Sequence, residues 1–292
     1  MEIVLAITAA LMFSLGTVLQ QKVASEVPDE DAMKANLLVQ LAKRPVWVAG
    51  IVVDGLGFVC QAAALHFGKL VVVQPLLATA VVFALPLGRL ITKRRITKND
   101  VLGASAVTGG LILFLVLADP QGGVKDASTL GWIVSGSIAA VVCLGLVFAS
   151  RGRMPSPKAA LLGMSAGILF GFSAGLTLTV TDDLDEGIVA LITDWHLYAL
   201  IVVGWISMTL SQASLQTGAL APAISTQMSL DPLVSVMLGI LIFEERIDDT
   251  FIEGAIAAIG LAVMIFGLVI LARSQAHNEA VAQPEPAPVP SA

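Results

Sequence analysis

The chain has 292 residues, of which 57% are hydrophobic and only 13% charged, and its net charge is −6. A soluble domain usually carries about 25% charged residues, so these charges are too few to clothe a water-exposed surface of this size. The composition excludes a soluble protein and a basic nucleic-acid-binding face, and it fits a polytopic membrane protein whose solvent is mostly lipid.

Apolar runs of about the length needed to cross ~30 Å of hydrocarbon fall, in chain order, at 3–21, 46–66, 70–91, 101–118, 130–150, 159–180, 197–217, 219–243 and 251–272. Each span is predicted to be helical, because a backbone exposed to lipid must satisfy its own hydrogen bonds. The start, Met1-Glu2-Ile3, has no basic segment and no A-x-A-like site follows the first run, so that run reads as a retained span. Trp47, Trp132, Trp195 and Tyr198 are placed where spans meet headgroups. Cys60 and Cys143 lie inside apolar runs and read as small hydrophobes rather than a disulfide or metal site. Residues 274–292, with the run Gln283-Pro284-Glu285-Pro286-Ala287-Pro288-Val289-Pro290, read as a disordered tail.

Basic residues set the orientation. Thirteen of the sixteen Lys and Arg lie on the side opposite the N-terminus, and only Lys69, Lys125 and Arg246 share its side. Positive-inside bias therefore predicts an external N-terminus and a cytoplasmic C-terminus. The outer side carries thirteen carboxylates, among them Asp126, Asp182, Asp183, Asp185, Glu186, Asp194, Glu244 and Glu245. Either this field concentrates cations, or it is what remains once the bias has stripped Lys and Arg from outer loops.

The two halves resemble each other. Ala63, Leu65, Gly68 and Leu70 match Ala213, Leu215, Gly218 and Leu220 at an offset of 150, and Gly88, Arg95, Ile96, Gly103 and Gly109 match Gly239, Arg246, Ile247, Gly254 and Gly260 at 151. A short, less apolar stretch follows the first span of each half, at 32–45 and 183–194. The expected architecture is all-α, with nine transmembrane helices in a 4+1+4 inverted repeat: residues 1–118 as the first repeat, 119–157 as connecting helix and loops, 158–273 as the second repeat, then the tail. Inverted repeats mark secondary transporters with a midplane site.

Two carboxylates lie deep in the spans, Asp54 in span two and Asp231 in span eight. A charge at the bilayer centre costs about 2.5–3.5 kcal/mol on insertion scales, so such groups face a cavity, a cation or a partner, or else bond helices together. Both are candidate coupling or metal residues. Around them stand Gln61, Gln74, Ser225, Thr226 and Gln227, with Ser207, Thr209, Ser211 and Gln212 on span seven. The spacings Asp54–Gln61 and Gln227–Asp231 put each pair on one helix face. Spans three and eight carry Pro75 and Pro86, Pro222 and Pro232, with helix breaks expected at Pro75 and Pro232. Matched broken helices are the best sequence pointer to a transport site, although membrane helices also tolerate proline for packing alone. Lys22, after Gln20 and Gln21, reads as a snorkelling or gating group, and His66 as an interfacial group or a sensor of external pH. No nucleotide, metalloprotease, redox or nucleophile-elbow motif occurs, so an enzyme and a cofactor are not expected.

The stretches Trp47-Val48-Ala49-Gly50, Gly55-Leu56-Gly57, Gln61-Ala62-Ala63-Ala64-Leu65, Phe67-Gly68 and Val72-Val73-Gln74-Pro75-Leu76 resemble the drug/metabolite transporter superfamily, and within it the NIPA-type magnesium transporters. Phe243-Glu244-Glu245-Arg246-Ile247 looks like the end-of-repeat signature of that superfamily. The resemblance implies a multi-pass plasma-membrane transporter of a small solute or cation, Mg²⁺ among them. It departs at Phe58, where NIPA-type proteins have a glutamate; Asp54 lies four residues earlier on the same face. A proton-coupled exporter of a metabolite or cationic drug fits the same residues, as does a non-transporting assembly or lipid-handling partner. The expected partners are that solute and the bilayer, with a homodimer left open.

Overall fold

A computed structural model describes residues 1–24, 43–91, 96–118, 121–124, 126–217, 219–246 and 251–282. Among these residues, nine helical segments are long and apolar enough to cross a membrane. They are Glu2–Ala24, Pro45–Phe67, Leu70–Leu77 with Ala80–Ile91, Lys98–Ala118, Thr129–Ser150, Pro155–Glu186, Trp195–Leu215, Leu220–Leu241 and Phe251–Ala282, called spans one to nine. Local chemistry sets several starts. Pro45 and Pro155 occupy first-turn positions where the missing N–H costs nothing. Ser128 Oγ accepts the Gly131 N–H at 3.1 Å ahead of span five.

Spans six and nine run beyond their sequence boundaries. Span six reaches Glu186, and a short helix, Ile188–Thr193, fills most of the remaining less apolar stretch. Span nine continues to Ala282, past the expected start of the tail at 274, because Ser274 to Ala282 contains no Gly or Pro to stop it. Residues 283–292 and 32–42 lie outside the described residues.

The proline expectations need correction. Span three does break, but at Ala78–Thr79, after Pro75. There Thr79 Oγ1 donates to the Leu76 carbonyl at 2.6 Å, in place of the regular backbone ladder. Pro232 sits inside a continuous helix, and Pro222 falls in the first turn. Trp132, in the first turn of span five, is 4% exposed and packs edge-on against Phe172, Phe243 and Trp195, so its ring is covered by protein.

Lipid is as apolar as a leucine core, so close packing rather than hydrophobicity joins these helices. Span six is the most buried of the nine and so central, and span five is the least buried and peripheral. Gly163, Gly167 and Gly171 form a stripe along span six that meets span eight. A Cβ on them would stand 2.5, 2.6 and 2.7 Å from the carbonyl oxygens of Ala223, Gln227 and Asp231. Spans four and nine cross at Gly103 against Gly267 and Gly110 against Gly260. Span one packs on two and three, span six on seven and eight, and span eight on the first half of span three. Among the described residues, one non-helical element interrupts the pattern. Gln121–Gly122 pairs antiparallel with Glu245–Arg246, so the connection after span four is tied to the connection after span eight.

Candidate functional site

A cavity of about 240 Å³ lies where spans three and eight meet, walled also by spans one, two and nine. Its polar lining is Gln61, Gln74, Gln227 and Asp231. Phe13, Leu77, Val81, Met228, Pro232 and Leu268 supply most of the apolar wall. The glycine stripe of span six holds the backbone of span eight at Gln227 and Asp231, so both side chains leave that contact toward the cavity.

The polar groups differ in how well they are satisfied. Gln227 Oε1 accepts from Ser211 Oγ at 2.7 Å, which fixes its amide from span seven. Gln74 is 4% exposed, and its Nε2 is buried without a hydrogen-bond partner. The carboxyl of Asp231 receives no hydrogen bond among the described residues and faces the cavity. Met228 precedes Pro232 by four residues, so proline leaves the Met228 carbonyl without its usual helical donor beside the carboxyl. A carboxyl group, three carboxamides and a freed carbonyl can take a proton, a cation or a donor-rich solute.

The other sequence candidates lie elsewhere. Asp54 is turned toward span one, where Gln20 Nε2 donates to its Oδ2 and its Oδ1 rests against Gly16. It is not on the cavity lining, so Asp54 and Asp231 are not brought together as a metal pair. Thr226 faces span six: its Oγ1 bonds Pro222 O at 2.7 Å and Ala160 O at 3.2 Å, beside Gly163. Ser225 is buried next to Ser229, which donates to its carbonyl at 2.6 Å. Pro75 is buried and does not line the cavity. His66 lies 3.8 Å from Asp182 and 3.5 Å from Asp185, joining the ends of spans two and six. Phe13 and Met228 carry no sequence signal as lining residues, because apolar side chains on these spans face lipid, core and cavity alike.

Residues 33–116 match the model of the EamA-like transporter family. The matched stretch includes spans two and three and most of span four, and so Gln61 and Gln74. An uncharacterised protein of Corynebacterium glutamicum is 28% identical over 275 residues, covering 94% of this chain and 95% of that one. No solved structure matches the chain. Residues 33–116 are thus similar to a family of membrane transporters, and the nine apolar helices fit a multi-pass membrane protein.

Proposed function

We propose that the protein is a proton-coupled secondary transporter whose substrate, a small organic solute with a cationic or donor-rich group, binds around Asp231. The observation that carries this reading is the unpartnered carboxyl of Asp231 in a cavity with both amide and apolar walls. At about 240 Å³ the cavity lies below the range of about 300–1,000 Å³ typical of drug-sized sites, which favours a small metabolite over a bulky drug. One carboxylate cannot hold a proton and a cationic substrate at once, so competition for Asp231 would couple the two fluxes in opposite directions.

The reading places the site within a 4+1+4 inverted repeat in the plasma membrane, with the N-terminus outside. Span one on two and three, and six on seven and eight, is the pairing such a repeat requires. The crossing of spans four and nine supports it with a different register. Gly103–Gly267 and Gly110–Gly260 interchange under a two-fold only if Gly103 corresponds to Gly260 and Gly110 to Gly267, an offset of 157. Gly109 and Gly254, which an offset of 151 would match to Gly260 and Gly103, have open space where a Cβ would stand.

Mg²⁺ is the second reading, favoured by three carboxamide oxygens and a carboxylate around one cavity. It is weaker, because Mg²⁺ sites usually draw on one or two carboxylates and retained waters, and here Asp54 is engaged by Gln20 outside the lining. The test uses purified protein in vesicles with an imposed pH gradient, challenged with ethidium, choline or Mg²⁺. Gradient collapse by an organic cation in the parent and not in Asp231→Asn is the expected result. Collapse by Mg²⁺ alone would replace this reading with the magnesium one, and no response to any probe would favour a non-transporting role.

A further inference from the structure

At the end of the bundle opposite Gln20, three carboxylates converge on the imidazole of His196. Asp183 comes from the last turns of span six, Asp194 precedes span seven, His196 lies in its first turn, and Asp126 precedes span five. The ring is 3% exposed and is covered by Trp195 at 4.1 Å and Trp132 at 5.4 Å between ring centroids. Its Nδ1 lies 2.6 Å from Asp194 Oδ1 and 4.0 Å from Asp183 Oδ2. Its Nε2 lies 3.5 Å from Asp126 Oδ1. Neither ring nitrogen makes a hydrogen bond, and the buried Asp183 Oδ2 makes none either. Burying an imidazole without hydrogen bonds is costly. Among the described residues no Lys or Arg pairs with these carboxylates, although three of them surround one ring.

We infer that Asp183, Asp194 and His196 form a binding site for a first-row divalent transition-metal ion, which nothing in the transport reading requires. The three ligand atoms lie within 4.8 Å of one another. A Zn²⁺-like ion at about 2.0–2.2 Å from each ligand needs them roughly 3.4 Å apart. Small side-chain rotations therefore bring Nδ1 and the two carboxylate oxygens onto one face of an ion. An imidazole among the ligands selects zinc, cobalt, nickel or iron over the all-oxygen preference of Mg²⁺ and Ca²⁺.

Asp126 completes the arrangement. A metal-bound imidazole almost always donates its other N–H to a carboxylate, which fixes the tautomer and strengthens the ligand. Metal on Nδ1 leaves Nε2–H pointing at Asp126 Oδ1. That oxygen is already held by the Trp132 indole N–H at 3.0 Å. Asp194 is held too, because its Oδ1 accepts the His196 backbone N–H at 3.0 Å. Two of the four groups are thus anchored before an ion arrives, which lowers the ordering cost of binding. A bound ion would bridge the end of span six to the start of span seven across the short helix Ile188–Thr193.

The experiment takes the full-length, untagged protein in detergent, stripped with a chelator, and titrates it with Co²⁺, Zn²⁺ and Mg²⁺ by calorimetry. Tryptophan emission is followed in parallel, because Co²⁺ at His196 sits against Trp132 and Trp195 and quenches them. The expected result is one saturable Co²⁺ or Zn²⁺ site with quenching, and little response to Mg²⁺. Asp183→Asn and Asp194→Asn keep size, and Asn still caps span seven; each should weaken binding at least about tenfold and abolish quenching. His66→Ala, which alters the neighbouring histidine–aspartate pairs, should bind like the parent. Absence of a saturable site in the folded parent would overturn the proposal. So would binding that survives both Asp variants or is lost in His66→Ala.

Discussion

Glu245 caps the helix that begins at Leu70. Its Oε1 accepts the Leu70 N–H and its Oε2 the Val71 N–H, each at 2.8 Å, although the residues are 175 and 174 positions apart. The Gln121–Gly122 pairing holds Glu245 in place, and Gly239 lets the carboxylate approach span eight. The start of span three, whose middle walls the cavity, is therefore fixed by a residue from the other half of the chain. Glu245→Ala would leave two enclosed N–H donors unpaired, at about 1–3 kcal/mol each. A clear drop in Tm in detergent is expected; an unchanged Tm in Glu245→Ala would show the cap to be dispensable.

Glu245 also sets a pH dependence. Burial pushes its carboxyl above the ordinary glutamate value, and the Val71 and Leu70 N–H groups and Lys69 oppose this without cancelling it. The folded state then holds this proton more tightly than the unfolded chain. The contribution is fully present below the ordinary value of about 4.3 and is lost as pH rises through the raised folded value. The Tm of the parent relative to Glu245→Gln should therefore fall as pH rises from about 4.3. A constant difference across that window would contradict the assignment.

Asp54 and Asp231 are expected to part company on mutation. Asp54 joins span two to span one through Gln20 and lies outside the cavity. Asp54→Asn, which can still accept from Gln20, should transport like the parent. Asp54→Ala should lower stability by about 0.6–1.7 kcal/mol, the range for hydrogen bonds between membrane helices. Loss of gradient-driven transport in a well-folded Asp54→Asn protein would move the coupling site to span two.

The glycine stripe of span six makes a sharp contrast with glycines that touch nothing. Gly167→Ala brings a methyl to 2.6 Å from the Gln227 carbonyl oxygen and 3.0 Å from Leu230 Cβ. Overpacking of this kind costs about 1–3 kcal/mol, and it would displace Gln227 and Asp231 from the cavity wall. Gly204→Ala meets nothing within 4 Å and should be neutral or stabilising by about 0.5–1 kcal/mol. Equal effects of the two substitutions on Tm would refute the packing argument.

The charge asymmetry makes a topology prediction. In a protein lacking Cys60 and Cys143, an impermeant thiol reagent applied outside intact cells should label a cysteine at exposed Glu186 and miss one at exposed Arg153. Labelling of the Arg153 position alone would invert the orientation.

The nine helices were legible in the sequence, because the thickness of hydrocarbon and the need to satisfy backbone groups leave long apolar helices as the solution. Part of the cavity was legible too. Gln227 and Asp231 share a face by their spacing of four, and both line it, as do Gln61 and Gln74. Periodicity says which side chains share a helix face, but not which neighbour that face meets. In a soluble helix the apolar stripe answers that question; in lipid the outside is as apolar as the core. Asp54 and Gln61, seven apart on span two, therefore looked like one polar face, yet one bonds Gln20 and the other lines the cavity. That the ring of Trp132 is covered by protein was not legible for the same reason. Contacts between distant segments were beyond any local pattern. Glu245 on the Leu70 helix start, Asp126 beside His196, and Gly103 and Gly110 of span four against Gly267 and Gly260 of span nine exist only because the packed bundle brings together residues far apart in the chain.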